Sequence, residues 1–99
     1  MVKIYGKYCG PGWTAGKKRD AADTPVGEFT RVKPIDALDD ACLLHDWECR
    51  KGGCSKAADR RLMSRAIAVS KDPKESKKTR AAAALIADGM LLTSFIRLK

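Results

Sequence analysis

The sequence predicts a mainly α-helical fold braced by disulfides, and three observations carry that reading. After Pro34, apolar residues recur at helical spacing in three successive segments. Four cysteines fall within 99 residues, a density that suits a small core stapled covalently. Residues 1–33 hold five of the eight glycines and no sustained period, so the chain opens on irregular structure. The length allows a single domain, residues 1–99.

Within that irregular third, IYGKYCGPGW (4–13) is a glycine-rich loop. TAGKKRDAADTPVGEFTRVK (14–33) reads as a long polar connection with a short strand at EFTRV. Asp36 then N-caps a first helix. Its inward stripe is Leu38, Ala41, Cys42, His45 and Cys49, and Gly52 and Gly53 end it. Ser55 caps a second helix with Ala58, Asp59, Leu62, Met63, Ala66 and Ile67 inward. So short a turn between the two leaves only an antiparallel hairpin. Asp72, Pro73 and Glu75 look like an N-cap, a first-position proline and a capping-box acid. The third helix that follows runs to about Arg97, with Ala81, Leu85, Leu92 and Phe95 along one face, for which packing in the core is favoured over pairing with a second copy or touching lipid.

Charge narrows the partners. Twenty Lys and Arg against twelve Asp and Glu leave +8, which implies nucleic acid or an anionic membrane surface. The apolar-rich run 81–96 contains Asp88 and Gly89 and is short for a membrane span, and MVKIYGKY has no apolar h-region. A soluble chain with no signal peptide is expected.

His45 is the only histidine, and Asp46 follows it. Adjacent helix positions diverge by about 100°, so one group faces a cleft while the other faces the loop packed on that helix. An aspartate there without a partner is costly, and a cation held between it and the loop offsets the cost. Calcium takes six to eight oxygens, backbone carbonyls among them. A loop that turns its carbonyls inward needs positive φ, hence Gly10 and Gly12. Cys9 and Cys42 are placed to clamp the loop onto the histidine helix, closing about 33 residues at roughly 3–4 kcal/mol.

Taken together, YGKYCGPGW and PIDALDDACLLHD resemble the calcium loop and catalytic helix motif of the secretory phospholipase A2 superfamily. The loop is most similar to plant secretory members, and its Gly-Pro-Gly resembles the phospholipase domains of parvovirus capsid proteins. The likeness covers 4–13 and 34–49 closely and the second helix loosely. It implies a calcium-binding loop followed by an antiparallel helix pair and a C-terminal helix. It also implies calcium-dependent hydrolysis of the sn-2 ester of glycerophospholipids at a bilayer surface. His45 would be general base on water, and Ca2+ would be held by Asp46 and the carbonyls of Tyr8, Gly10 and Gly12. The Gly10 N–H would complete an oxyanion hole. An aspartate on the antiparallel helix would orient the histidine. Asp59 lies six residues past the Gly52-Gly53 turn and His45 seven before it, which favours Asp59 over its rival Asp88. The family setting implies a secreted or virion-associated protein that binds no nucleic acid.

The chain departs from the family pattern in three ways. Cys49 stands where many relatives have a tyrosine bonded to the orienting aspartate, and it is close enough to Cys54 to bridge the turn. The connection from Trp13 to Pro34 is longer than usual. Lys7, Ala41 and Glu48 stand where others often have cysteine. Trp13, Val26 and Phe29, ringed by Lys17, Lys18, Arg19, Arg31 and Lys33, are the candidate bilayer face. Two other readings remain. One is a zinc-braced basic module using Cys42, His45, Cys49 and Cys54 to bind nucleic acid. The other is a lipid-binding relative without turnover.

Overall fold

The computed structural model describes residues 2–50 and 52–96. The order is β1 (Trp13–Thr14), β2 (Lys17–Lys18), a 3-10 turn at Ala21–Asp23, α1 (Val26–Arg31), α2 (Ala37–Arg50), α3 (Lys56–Ser70) and α4 (Lys77–Ile96). β1 and β2 form a two-residue antiparallel hairpin, Trp13 opposite Lys18 and Thr14 opposite Lys17. The molecule is mainly helical, as the periodicity requires. Both predicted bridges are present, Cys9–Cys42 and Cys49–Cys54.

The main caps follow from side-chain chemistry. Asp36 Oδ1 accepts the Asp39 N–H at 3.0 Å at the start of α2. Ser55 Oγ accepts the Ala58 N–H at 3.1 Å at the start of α3. α3 folds back along α2, and on α2 the predicted stripe is inward, with Leu38, Ala41, Cys42 and His45 buried. α3 buries Ala58, Asp59, Leu62, Ala66 and Val69, whereas Ile67 is exposed.

Three sequence expectations are corrected. EFTRV is no strand: Glu28–Arg31 belong to α1 and Val32 caps it, its N–H reaching the Glu28 carbonyl at 2.9 Å. Val26, Phe29 and Val32 are spaced by three, which suits a helical turn, and the buried member is Phe29. α4 begins at Lys77 rather than at Asp72. Asp72 instead closes a turn, its side chain accepting the Lys74 N–H at 2.9 Å, while Ser76 Oγ accepts the Thr79 N–H at 3.1 Å. The face of α4 is also reversed. Thr79, Ala83, Ile86 and Ala87 are buried, while Ala81, Leu85, Leu92 and Phe95 point to solvent, Phe95 at 75% exposure. Small residues on α4 let its backbone approach α3, where Ala66 is fully buried, so the larger side chains are turned out. Over an 18-residue window α4 has a mean hydropathy of 1.3 with 22% buried, enough by length and composition alone to cross a membrane. Arg97, expected to end this helix, lies outside the described residues.

The glycine loop is fixed to α2 by Asp39, which is fully buried. Its carboxylate accepts the Lys7 N–H at 2.9 and 3.0 Å, the Tyr8 N–H at 2.9 Å and the Ile35 N–H at 2.9 Å. Gly6, at φ +59°, passes so close that a Cβ would lie 2.4 Å from Asp39 Cγ. Tyr5 adds a second tie, its hydroxyl bonding Asp36 and, at 2.8 Å, Thr79 Oγ1 of α4. Below the loop, buried Tyr8 hydrogen-bonds the Val32 carbonyl at 2.5 Å and stacks on Phe29, which packs edge-on to Trp47.

Asp39→Ala should strand three amide N–H groups and lower unfolding free energy by roughly 3 kcal/mol or more, read by urea denaturation with both disulfides intact. Gly6→Ala should destabilise comparably. A loss under about 1 kcal/mol in both would show that Asp39 does not hold the loop.

Candidate functional site

One cavity of about 570 Å³ brings the predicted residues together: Tyr8, Gly10 and Gly12 from the loop, and His45 and Asp46 from α2, all line it. Cys49, Cys54 and Leu62 line it too, and α4 contributes Ile86, Gly89, Met90 and Thr93.

His45 is held from behind. Its Nε2 lies 2.7 Å from Asp59 Oδ1, as the hairpin geometry predicts. A carboxylate only accepts, so Nε2 carries the hydrogen and Nδ1 keeps a basic lone pair. Asp88 is exposed on α4 and takes no part in this pair. Against the ring sits Cys49 Sγ, 3.7 Å from Nε2 and 3.9 Å from Nδ1. The residue that replaces the expected tyrosine therefore touches the imidazole rather than Asp59.

Asp46 is in a different state from Asp39. Its Oδ2 is buried and, among the described residues, has no hydrogen-bond partner. Burial first, and the Asp39 charge second, push its carboxyl up from 3.8 to about 8. An oxygen so placed beside a carbonyl-rich loop suits a hard divalent cation, which favours oxygen donors.

In the loop, Gly10 (φ +137°) and Gly12 (φ +69°) both take the positive φ expected of them. At Gly10 a Cβ would fall 2.0 Å from the Val2 carbonyl oxygen, because the N-terminal segment crosses there with Val2 N–H on the Pro11 carbonyl at 2.9 Å. The Gly10 carbonyl also accepts the Trp13 N–H at 3.2 Å, leaving it one further lone pair.

Sequence reasoning missed Asp39 and Tyr5. Asp39 reads as a solvated acid in a helix's first turn, yet it lies seven residues before Asp46, two turns along the same face. That spacing was the available signal. Of the predicted bilayer face, Val26, Lys18 and Lys33 are exposed, but the aromatics are not presented to solvent. Phe29 is buried, Trp13 is half-buried with its indole N–H on the Gly6 carbonyl at 3.0 Å, and Lys17, Arg19 and Arg31 pair with Glu28. Nor do Cys42, His45, Cys49 and Cys54 form one four-ligand centre, since Cys42 is joined to Cys9.

No protein-family model, no characterised protein and no solved structure matches this chain.

Folded Asp46 holds a proton up to about pH 8, and the unfolded chain releases it near 3.8. The folded state therefore binds the extra proton between those values, and this group's contribution to stability falls as pH rises through that window. Urea midpoints at about pH 5 and about pH 8, in chelator, should separate more for the native chain than for Asp46→Asn. Equal separation in both would mean that Asp46 is not the responsible group.

Proposed function

We propose that this protein is a calcium-dependent phospholipase A2, hydrolysing the sn-2 ester of glycerophospholipids at a membrane surface. The observation that carries the reading is the unpartnered Asp46 oxygen, which lines the same cavity as the His45–Asp59 pair and the glycine loop. A base, its orienting acid and a hard-cation seat in one apolar-walled cleft are what ester hydrolysis by an activated water requires.

In this reading Asp46 and the carbonyls of Tyr8, Gly10 and Gly12 hold Ca2+. When bound, the ion supplies Lewis-acid polarisation of the ester carbonyl and a counter-charge for the phosphate. Asp59 fixes the His45 ring so that Nδ1 takes a proton from water as the water attacks the ester carbon. The same imidazolium then gives that proton to the departing glycerol oxygen. The Gly10 N–H donates to the developing oxyanion. Leu62, Ile86 and Met90 supply apolar wall for an acyl chain.

The bilayer contact is assigned to α4. Its outward Leu85, Leu92, Phe95 and Ile96 flank the turn that carries Gly89 and Thr93 at the cavity, so the apolar stripe adjoins the cavity mouth. A net charge of +8 favours an anionic leaflet.

With anionic phospholipid vesicles, fatty-acid release should require Ca2+ and stop in chelator; unchanged release in chelator sinks the reading. His45→Gln should lose turnover by about 10²-fold or more while retaining Ca2+ binding, and Asp46→Asn should lose both. Leu92→Asp with Phe95→Asp should weaken vesicle partition while leaving Ca2+ affinity in solution unchanged. Undiminished partition would move the bilayer contact away from α4.

A further inference from the structure

The Cys49–Cys54 bridge is not needed to hold the glycine loop, which Cys9–Cys42 clamps, and yet it lies against the imidazole. His45, Cys49 and Cys54 present ligand atoms all within 4.8 Å of one another. We propose that reducing Cys49–Cys54 converts this cluster into a binding site for a thiophilic divalent ion such as Zn2+, with His45 as its nitrogen ligand.

The three groups are close enough for such a centre, although the Cys49 side chain must swing toward Nδ1 to share an ion with it. In a tetrahedral site with Zn–S near 2.3 Å and Zn–N near 2.0 Å, neighbouring ligand atoms stand about 3.5–3.8 Å apart. Cys49 Sγ is 3.9 Å from His45 Nδ1 and 3.7 Å from Nε2. Released from their covalent bond, the two sulfurs need only separate to about 3.8 Å. Cys49 is four residues after His45 and on the same helical side, while Cys54 enters from the turn that precedes α3. Behind the ring, Asp59 accepts the Nε2 hydrogen at 2.7 Å, the support that metal-ligating histidines usually have, leaving Nδ1 for the ion. Cavity space beside the cluster leaves room for a water as fourth ligand.

Access selects this bridge. Cys49 and Cys54 are partly exposed at the cavity, whereas Cys9 is buried. A dithiol reductant attacks one sulfur as thiolate, releasing the other cysteine and forming a mixed disulfide; its second thiolate then attacks its own bound sulfur, displaces the remaining cysteine and leaves as a cyclic disulfide. Two electrons and two protons pass to Cys49 and Cys54, and ion binding then releases both thiol protons. An ion on Nδ1 removes the lone pair assigned to water activation, so lipolysis would stop. That last consequence rests on the proposed hydrolysis; the ion site does not.

The test uses the full chain, oxidised or treated with a limiting dithiol reductant, with alkylation mapping to confirm that only Cys49 and Cys54 are free. The reduced chain should bind one Zn2+ in competition with a chromophoric chelator, and Co2+ in its place should give sulfur-to-cobalt charge-transfer absorption. The oxidised chain should give neither. Zn2+ should slow alkylation of Cys49 and Cys54 at least tenfold, and His45→Gln should weaken Zn2+ binding at least tenfold. Equal Zn2+ affinity in the oxidised chain, no protection from alkylation, or no effect of His45→Gln each overturns the site. If reduction costs helix content by circular dichroism, Zn2+ should restore it, and failure to do so overturns the site as well. None of these readouts involves lipid, so they stand or fall separately from the proposed hydrolysis.

Discussion

The buried carboxylate of Asp39 is the constraint from which the rest of the molecule follows. The glycine loop satisfies part of its own backbone, Cys9 N–H on the Tyr5 carbonyl at 3.1 Å for one, but the amides of Lys7 and Tyr8 find their partner on the helix it is pressed against. Asp39 supplies acceptors for the amides of Lys7, Tyr8 and Ile35 at once, joining the loop, the segment before α2 and α2 itself at one point. Because the carboxylate accepts from several N–H groups, burying its charge is compensated. Gly6 is the corresponding requirement on the loop side, since any larger residue would occupy the space of that carboxylate.

Asp46, two turns along the same face, receives no such compensation. One carboxylate closes the structure and the other leaves a buried oxygen with no hydrogen-bond partner among the described residues, with a carboxyl raised to about 8. The two are linked, because the Asp39 charge is one of the causes that raise Asp46. Fixing the loop by an anion therefore makes the neighbouring site more demanding of a cation. A chain that merely needed a stable fold would do better with an amide or an apolar side chain at position 46. The unsatisfied acid is a cost borne by the fold, and it lies beside the base–acid pair of His45 and Asp59.

Much of this was legible in the sequence because it rests on short-range rules. The α2 stripe, the Ser55 cap and the helical hairpin follow from spacing and from a turn too short for another topology, whereas an aspartate partner for His45 was expected through the family resemblance and the two bridges were the favoured pairing rather than one forced by spacing. What failed were choices settled by competition in three dimensions. Asp72, Pro73 and Glu75 form an acceptable helix start, but Ser76 takes the Thr79 N–H while Thr79 and Tyr5 bond each other across the interface with α4. EFTRV has strand-like composition, but without a neighbouring strand to complete a ladder, its Phe29 is more usefully buried from a helical turn against Tyr8. The spacing of Asp39 from Asp46 places it on the Asp46 side of α2, but its role as a clamp rests on backbone amides, which carry no side-chain signature.

The reversed face of α4 shows where hydrophobicity alone misleads. A stripe of Leu85, Leu92 and Phe95 contains more apolar surface than Ala83, Ile86 and Ala87, and area alone would place it inside. Packing density decides otherwise. α3 and α4 pack on each other, and the buried Ala66 of α3 and Ala83 and Ala87 of α4 are small enough for close approach, which larger side chains at those positions would oppose. Exposing the larger residues leaves Leu85, Leu92, Phe95 and Ile96 on the outer side of α4, with the exposed Asp88 among them. An isolated leucine on a surface needs no explanation, but several large apolar side chains exposed along one helix are the composition of an interaction surface. The packing rule that turned these side chains outward therefore leaves apolar surface on α4, whereas in the Trp13 loop the indole N–H is bonded to the Gly6 carbonyl and Arg19 to Glu28.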